Sequence, residues 1–303
     1  MCFFFAYLLL FYLIRNLLKM NKENLLLAFA IPIYFIFITW ELYTAKKKEK
    51  ISYTLKDTLQ SLWFGIAGAS LDIFTKGIGF AVLDWCNKHA FWQSNLLDIF
   101  PIAAWFILFI GQDFCFYWLH RAEHQSRIFW AVHSNHHSSP QYNFAVALRS
   151  SVLQPLYRFW FYVPIAFVGF DAISIMFVYA VNQFYQFFLH TEYFPKLGFF
   201  EKFLVTPSHH RVHHASNPIY LDKNMGQVFI VWDKIFGTFQ EEIQEEQPVY
   251  GLTKPLETYH PIHSILHEFY SIKKDVSKSK SFLKKLKYVF AAPGWSPKDR
   301  VNQ

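Results

Sequence analysis

Histidine is the residue type best placed to do chemistry in this chain. Ten of the 14 histidines fall between residues 120 and 214, where one HxxxH string and two HxxHH strings occur. Neutral imidazole nitrogen binds iron, zinc and copper. The ten are His120, His124, His133, His136, His137, His190, His209, His210, His213 and His214. Because the eight string histidines exceed what one tetrahedral ion can bind, the pattern predicts two metal ions in a shared site.

The spacing predicts which imidazoles converge. Residues i and i+4 lie on one face of a helix, so His120 and His124 are expected to point at one place, and each HxxHH string is expected to do the same. We therefore predict that the eight string histidines and His190 bind metal. His209 is a further candidate ligand, although it points about 100° away from His210 on a helix, which also suits a supporting position. The alternative is a chance cluster of surface histidines.

Polar residues inside apolar segments lead to the same place. Asp113 lies seven residues before His120, on the same helical stripe. An ionisable group there is costly and usually functional, so we predict that the Asp113 carboxylate accepts the second ring N–H of a ligand histidine. A hydrogen bond between helices is the alternative. Gln183 and Gln186 belong to a second polar stripe that ends at His190, and they are candidate contacts for substrate or cofactor.

Ligand type narrows the reaction. A hydrolytic zinc enzyme typically has three ligands, an open coordination position and a general base, as in HExxH, but this HxxxH string has its glutamate at position 123. A transporter would distribute ligands along a path through the membrane. Imidazoles gathered at one end of apolar segments instead favour two redox-active irons that activate O₂ and attack a lipid C–H bond. A metal-binding or transport protein without oxygen chemistry is the alternative from another class.

Composition predicts that membrane-spanning helices position these histidines. The 303-residue chain is 53% hydrophobic and 21% aromatic, with 17% charged residues, whereas about a quarter is usual in soluble domains. Segments of about 20 apolar residues can cross a bilayer. The candidates are 25–43, 58–85, 99–119 and a hairpin of 152–170 with 172–189. We predict an all-α integral membrane protein with about four or five transmembrane helices and a cytosolic, histidine-rich helical cap.

Four regions follow from the same pattern. They are an apolar extension at 1–24, an N-terminal transmembrane region at 25–98, a catalytic domain at 99–256 and a basic membrane-surface tail at 257–303. No basic stretch precedes the extension and no small-residue cleavage site follows it, so a signal peptide is not expected. Translation from Met20 is the alternative to a start at Met1.

The net charge of +7 is concentrated in two places. Residues 46–50 include four lysines, and residues 273–287 carry seven lysines against one aspartate. Basic clusters beside apolar segments favour the cytoplasmic face, and counting the spans from the first run places all ten histidines there. No basic patch accompanies a nucleic-acid-binding motif, so no nucleic-acid partner is expected. The three scattered cysteines form neither a CxxC pair nor a disulfide framework. The sequence does not indicate an oligomeric state.

The histidine series resembles that of the fatty acid hydroxylase / sterol desaturase superfamily of membrane di-iron oxygenases. The resemblance runs from about Asp113 to Leu256 and, within the superfamily, points to the alkylglycerol monooxygenase branch and its bacterial members. The matching strings are FYWLHR at 116–121, HHSS at 136–139, YN at 142–143, ALR at 147–149, HTE at 190–192, TPSHHRVHH at 206–214, DKN at 222–224 and YGLT at 250–253.

The resemblance implies two Fe ions, O₂ and a membrane lipid substrate, with a tetrahydropterin or another electron donor, including a donor protein, as reductant. For that branch it implies hydroxylation of the ether-linked carbon of an alkylglycerol, after which the hemiacetal collapses to an aldehyde and glycerol. Hydroxylation or desaturation of a fatty acid, sterol or carotenoid is the alternative. Asn143 and Arg149, within matching strings, are candidate substrate or cofactor contacts. The chain departs from the branch at Gln125 and Pro140, where the branch has glutamate.

Overall fold

The computed structural model describes residues 22–48, 53–92, 96–256 and 258–297. Its α-helices are α1 (Lys22–Lys48), α2 (Leu55–Lys88), α3 (Leu96–Ile99), α4 (Pro101–Gln125), α5 (Arg127–His133), α6 (Val163–Val168), α7 (Ala172–Phe187), α8 (Pro207–His214), α9 (Val231–Phe236), α10 (Pro261–Lys278) and α11 (Phe282–Phe290). Short 3₁₀ turns are His136–Ser138, Val146–Leu148, Gln154–Leu156, Arg158–Tyr162 and Gly198–Lys202. The described residues contain two isolated β-bridges but no strand, so the all-α class is confirmed. Most of the predicted extension, with both candidate start methionines, lies outside them.

Three helices, α1, α2 and α4, have the length and apolar composition to cross a membrane. Their outer faces expose large apolar side chains: Phe35 is 69% exposed, Phe74 80% and Ile102 88%. Such surfaces suit lipid better than water. Helix α2 is continuous over 34 residues, so the segment 58–85 is one helix about 50 Å long. The chain is thus an integral membrane protein, and the predicted number of spans stays a prediction.

The predicted hairpin of two spans is wrong in its first half. Residues 172–189 contain helix α7, but 152–170 does not form one continuous helix; it consists of 3₁₀ turns followed by the six-residue α6. Pro155 and Pro164 each occupy the start of one of these short helices. Proline lacks the N–H that an uninterrupted helix would need at those positions. The segment is therefore too broken to cross a bilayer as a single helix.

The turn between α6 and α7 still reverses the chain, as expected. Gly169 adopts φ +117°, and a Cβ added there would lie 2.3 Å from the carbonyl oxygen of Trp92. Only glycine tolerates both conditions. Asp171 then caps α7, accepting a hydrogen bond from the Ser174 backbone at 2.9 Å. The reversal returns the chain to the histidine-bearing end of the bundle.

The hydrophobic core lies among α2, α4, α6 and α7. It includes Leu83, Leu108, Ile165 and Ile175. The C-terminal helices are held by a separate set of contacts. Arg127 of α5 pairs with Glu268 at 2.6 Å and with Asp275 at 2.9 Å, both on α10. These partly buried ion pairs fix the C-terminal helices against the helix that ends in His133. The membrane-surface position of this basic tail stays a prediction.

Candidate metal centre

Nine of the ten candidate histidines converge in two adjoining groups. We call His120, His124, His133, His137 and His213 group one, and His136, His190, His210 and His214 group two. Within each group, one ring nitrogen per residue lies within 4.8 Å of the others. The groups adjoin because the ring centroids of His137 and His214 are 4.4 Å apart. The structure therefore brings these nine imidazoles together around two centres, and metal binding by them remains a prediction.

Adjacent histidines belong to different groups. His136 lies in group two and His137 in group one, and His214 and His213 divide in the same way. Consecutive residues of a helix point about 100° apart, so neighbours can face two centres. The expectation that each HxxHH string points at one place is therefore wrong. Helix α5 ends at His133, and a 3₁₀ turn begins at His136.

Helix α8 begins with Thr206 as the N-cap and Pro207 in the first turn, residue types that are favoured at those positions. The structure does not bring His209 to either group. Its Nδ1 instead accepts a hydrogen bond from the Thr206 backbone N–H at 3.3 Å, and its ring lies 5.6 Å from that of Phe239. The candidate role of His209 as a ligand is therefore replaced by a capping role, with the ring turned away from the two centres.

A loop formed by residues 222–226 holds the outer ring nitrogens of three group-one histidines. The contacts are His124 Nδ1 to Asp222 Oδ1 at 3.1 Å, His213 Nδ1 to the Lys223 carbonyl at 2.9 Å and His120 Nδ1 to the Met225 carbonyl at 2.9 Å. The loop turns through two residues with positive φ, Asp222 at 55° and Asn224 at 56°. Asp and Asn tolerate this conformation better than most residues. A ring that donates its Nδ1–H to a carbonyl presents an unprotonated Nε2, the form that binds a metal.

Asp113 contacts the segment that follows this loop and not a histidine. Its two carboxylate oxygens accept hydrogen bonds from the Val228 N–H at 2.8 Å, the Phe229 N–H at 3.1 Å and the Trp232 indole N–H at 2.8 Å. The predicted bond from a ligand imidazole to Asp113 is therefore wrong. The carboxylate lies on the expected side of α4, but its oxygens are already occupied by hydrogen bonds from residues 228–232. Asp113 therefore affects the group-one histidines indirectly, because it fixes the backbone that follows Met225.

Asp233 is a second buried carboxylate with the same task. It accepts hydrogen bonds from the Met225 N–H at 2.7 Å and the Gly226 N–H at 2.8 Å. Burial raises the pKa of Asp233, while the hydroxyl of Thr238 and these backbone groups oppose the rise. The sequence pattern did not indicate a role for this residue. Its only signal is its place in the turn-forming string WDKIFG at 232–237.

Backbone carbonyls also orient group two. His136 Nδ1 lies 2.7 Å from the carbonyl oxygen of Arg149, and His190 Nδ1 lies 3.0 Å from that of Gln186. The guanidinium of Arg149 is completely buried, where it pairs with Asp57 and donates to Gln60 at 2.9 Å. A group enclosed in this way cannot reach a substrate, so the predicted role of Arg149 in binding substrate is corrected to a positioning role.

Asn143 is likewise a structural residue. It is buried, and its Oδ1 accepts hydrogen bonds from the backbone N–H groups of Ala145 at 3.1 Å and Val146 at 3.2 Å. Asparagine side chains commonly close turns in this way. The turn leads into the 3₁₀ segment Val146–Leu148 and then to Arg149. The Asn143 side chain therefore shapes the segment that carries the Arg149 carbonyl to group two.

The charge state of the imidazoles suits metal binding. Burial lowers the pKa of His136 to about 4 and that of His190 to about 3. Burial, assisted by neighbouring imidazoles, also holds the pKa values of five others well below 6.5: His133, His137, His210, His213 and His214. These seven rings are therefore neutral at pH 7, and a neutral ring has a lone pair to donate to a metal.

Unpartnered nitrogens provide an independent test of fit. Among the described residues, no hydrogen-bond partner is found for four buried ring atoms: Nε2 of His124, Nε2 of His213, Nε2 of His214 and Nδ1 of His210. A buried polar atom without a partner costs about 1–3 kcal/mol. Metal coordination would remove that cost, so the donor set fits a pair of nitrogen-bound ions. Neither hydrogen bonding nor packing alone accounts for so many inward-facing imidazoles.

Glu123 is a further residue of the site, and its place in the HxxxH string had served only to exclude the HExxH motif. It is completely buried; its Oε1 accepts hydrogen bonds from Tyr157 at 2.6 Å and Gln154 at 2.8 Å. Its Oε2 lies 3.3 Å from His133 Nδ1, which is 2.8 Å from the Ser151 hydroxyl. A carboxylate beside the outer ring nitrogen makes a histidine a stronger ligand. The available signal was its position one helical turn after His120.

We predict that Glu123→Gln weakens metal binding about 10-fold to 100-fold, because the amide keeps the shape of the side chain but supports the outer ring nitrogen of His133 less well than the carboxyl group does. The measurement is a metal titration of the purified protein. Glu245→Gln, at an exposed glutamate, is the matched control and is expected to titrate like the unmodified chain. An unchanged iron affinity in Glu123→Gln would show that the Ser151 hydroxyl alone orients His133.

The fold and the site together define a class: a helical membrane protein with a histidine-rich candidate metal centre. Residues 105–238 match the fatty acid hydroxylase family model. Alkylglycerol monooxygenase from Homo sapiens is 40% identical over 252 residues, covering 80% of this chain and 54% of the relative. The Caenorhabditis elegans enzyme of the same name is 33% identical over 256 residues, covering 81% and 50%. An ornithine lipid hydroxylase from Rhizobium tropici is 23% identical over 218 residues, covering 71% and 64%.

The chain therefore carries a domain of the fatty acid hydroxylase family, and the resemblance of its histidine strings to that family is confirmed. The matched residues lie inside the predicted catalytic region 99–256. The chain spans about half the length of the alkylglycerol monooxygenases it matches. No solved structure matches it significantly.

Proposed function

We propose that this protein is a membrane-bound di-iron oxygenase that hydroxylates a lipid C–H bond with O₂, and that its target is the ether-linked carbon of an alkylglycerol. The observation that carries the proposal is the convergence of nine imidazoles into two adjoining groups at one end of apolar helices. The names of the relatives at 33–40% identity support the alkylglycerol as substrate. Hydroxylation at that carbon gives a hemiacetal, which collapses to an aldehyde and glycerol.

Each group would hold one iron through its inner ring nitrogens. Iron held by imidazole and open to a small molecule supplies the capacity to activate O₂. The residues of this chain supply the setting: the carbonyls of Lys223, Met225, Arg149 and Gln186 orient the rings, while Asp113 and Asp233 hold the loop that carries two of these carbonyls. A tetrahydropterin or another electron donor would supply electrons. The lysine-rich segments favour the cytoplasmic face for the site.

A related activity, hydroxylation of a fatty acyl chain, has support of its own. One relative is an ornithine lipid hydroxylase, and the chain has Gln125 and Pro140 at positions where its resemblance to the alkylglycerol branch implies glutamate. The structure places Gln125 at the exposed end of α4, next to the group-one ligand His124. The two substrates are therefore compared in one experiment.

The test uses the purified, iron-loaded full chain with O₂ and a reduced tetrahydropterin. We expect iron near two per chain and O₂ consumption that depends on a 1-O-alkylglycerol and yields a long-chain aldehyde in equal amount. A hydroxylated product from a free fatty acid, without aldehyde from the alkylglycerol, would support the related activity. Metal flux in vesicles without O₂ consumption on either lipid would overturn the oxygenase and favour a transport protein.

A further inference from the structure

A tyrosine ring lies directly against group two. The ring centroid of Tyr142 is 5.3 Å from that of His214 and 5.8 Å from that of His190, and the Tyr142 and His190 planes differ by 27°. Tyr142 is buried, and its hydroxyl donates to the Leu189 carbonyl at 3.0 Å. Group two thus has an oxidisable phenol in ring contact with two of its four imidazoles.

The polar stripe of α7 consists of amides instead. The Gln227 side-chain NH₂ donates to the Gln183 carbonyl oxygen and lies 3.3 Å from that of Gln186. Amides are much harder to oxidise than phenols. Gln183 and Gln186 are therefore held by the segment that follows Met225, and a path for electrons from group two leads through the tyrosine.

A second tyrosine continues the stack toward the surface. The ring centroids of Tyr142 and Tyr250 are 4.8 Å apart, and their planes lie within 13° of parallel. Stacking at such a distance is a favourable arrangement for aromatic rings. Tyr250 is partly exposed to solvent. Two ring contacts therefore connect group two with a side chain at the surface. We call Tyr142 and Tyr250 the tyrosine pair.

Backbone contacts hold Tyr250 in this position. It forms an isolated antiparallel bridge with Ala215, the residue that follows the group-two histidine His214. The N–H of Ser216 donates to the Val249 carbonyl at 2.7 Å. The segment that carries Tyr250 is thus fixed to the end of α8, so the stack does not depend on side-chain packing alone.

The outer end of the tyrosine pair has a proton acceptor. The Tyr250 hydroxyl donates to Glu192 Oε1 at 3.1 Å, and Glu192 is exposed. A phenol that loses an electron also releases its proton, so it is oxidised most easily where a base accepts that proton. The Tyr142 hydroxyl donates to a backbone carbonyl, which is a far weaker base than a carboxylate. An oxidation that reaches the pair is therefore expected to end at Tyr250.

We propose that the tyrosine pair is a one-electron path that carries oxidation away from group two when no lipid is hydroxylated. Tyr142 gives an electron to group two and takes one from Tyr250, whose phenol proton passes to Glu192. The electron is accepted by iron that O₂ or a peroxide has oxidised. A soluble thiol then restores Tyr250 by giving it a hydrogen atom, and Glu192 releases its proton to water. The inference rests on the proposed function only for the presence of iron in group two.

The experiment locates the oxidised residue and does not depend on lipid turnover. Iron-loaded full chain without lipid is mixed with hydrogen peroxide and a nitroso spin trap, and peptide mass spectrometry identifies the residue that carries the trap. We expect an adduct at Tyr250 and none at Tyr270, an exposed tyrosine on α10. Metal-free chain treated in the same way is expected to carry no adduct at Tyr250. Absence of an adduct from the iron-loaded chain, or an adduct confined to Trp130, whose ring lies 5.2 Å from that of His124, would overturn the path.

Variants separate the path from local packing. Tyr142→Phe keeps the ring but removes the oxidisable phenol, so we expect the Tyr250 adduct to fall to the level of the metal-free chain. Glu192→Gln removes the proton acceptor and is expected to lower the adduct as well. Tyr270→Phe is the matched control and is expected to leave it unchanged. Adducts are compared per iron bound, because the Tyr142 hydroxyl also contacts the segment before His190. A Tyr250 adduct that persists at full yield in Tyr142→Phe would overturn the path.

Oxidation of the histidines tests what the path is for. Without the Tyr142 phenol the oxidation stays at group two, so we expect more oxygen-modified His190 and His214 in the same digests of Tyr142→Phe. No increase would overturn the protective role. If the Tyr250 adduct forms as expected but neither alkylglycerol nor fatty acid is oxidised with O₂, only the proposed reaction fails. If lipid is oxidised and the adduct forms without Tyr142, only the path fails.

Discussion

Replacing His136 with alanine is expected to remove the iron from group two and to abolish lipid hydroxylation, while the protein stays in the membrane. His136 is one of only four imidazoles in that group, and its orientation is already fixed by a 2.7 Å contact with the Arg149 carbonyl. Three remaining ligands would bind iron weakly. We expect the iron content to fall by about half and the rate of O₂ consumption to fall by more than about 100-fold, exceeding the loss typical of a supporting residue.

The measurement combines metal analysis, O₂ consumption and membrane fractionation of the same preparation. His263→Ala is the matched control, because His263 is an exposed histidine on α10 outside both groups. It is expected to retain full iron content and full activity. A His136→Ala protein with two irons and unchanged activity would contradict the assignment of group two. Loss of the protein from the membrane fraction would show that the substitution acts on folding rather than on the metal.

Arg149→Ala is expected to destabilise the protein by about 3–5 kcal/mol, because the buried Asp57 carboxylate would lose its charged partner. Arg149 and Asp57 have almost no exposure, and Arg149 also donates to Gln60 and to Ser138 at 2.8 Å. The same residue supplies the carbonyl that orients His136. We therefore expect a decrease in Tm on the order of 10 °C, accompanied by weaker iron binding in group two.

A double-mutant cycle separates the ion pair from general packing. The Asp57→Ala and Arg149→Ala single variants each leave a buried charge, whereas the double variant leaves none. The double variant is therefore expected to be destabilised by less than the sum of the two single changes, by about 1 kcal/mol or more. Thermal unfolding of the four proteins provides the measurement. Strict additivity would show that the two side chains stabilise the fold independently.

Much of the site could be predicted from the sequence because imidazole is specific. His120, His124 and His190 converge as their spacing and their place on polar stripes indicate. Helix α8 starts at Thr206 and Pro207, two residue types that favour a helix start. The division of each HxxHH string could not be predicted, since it depends on α5 ending at His133 and on the 3₁₀ turn that follows. No local propensity distinguishes that turn from one more turn of α-helix.

The supports of the site were harder to foresee. Several histidine rings are oriented by backbone carbonyls, those of Lys223, Met225 and Arg149. Because every residue has a backbone carbonyl, such contacts cannot be recognised from residue types. Asp113 was expected to accept a hydrogen bond from a ligand histidine, but its partners come from a segment more than 110 residues later. Contacts between segments so far apart depend on tertiary packing, which helical periodicity does not encode.

The pairing of neighbouring histidines with different groups has a consequence for how such a centre can change over time. His136 and His137 share a peptide bond but belong to separate groups, and so do His213 and His214. A shift of the backbone in either segment would therefore change the geometry of both groups together. A mutation that alters one histidine group is therefore expected to alter the other as well. The two groups are expected to be selected together during evolution.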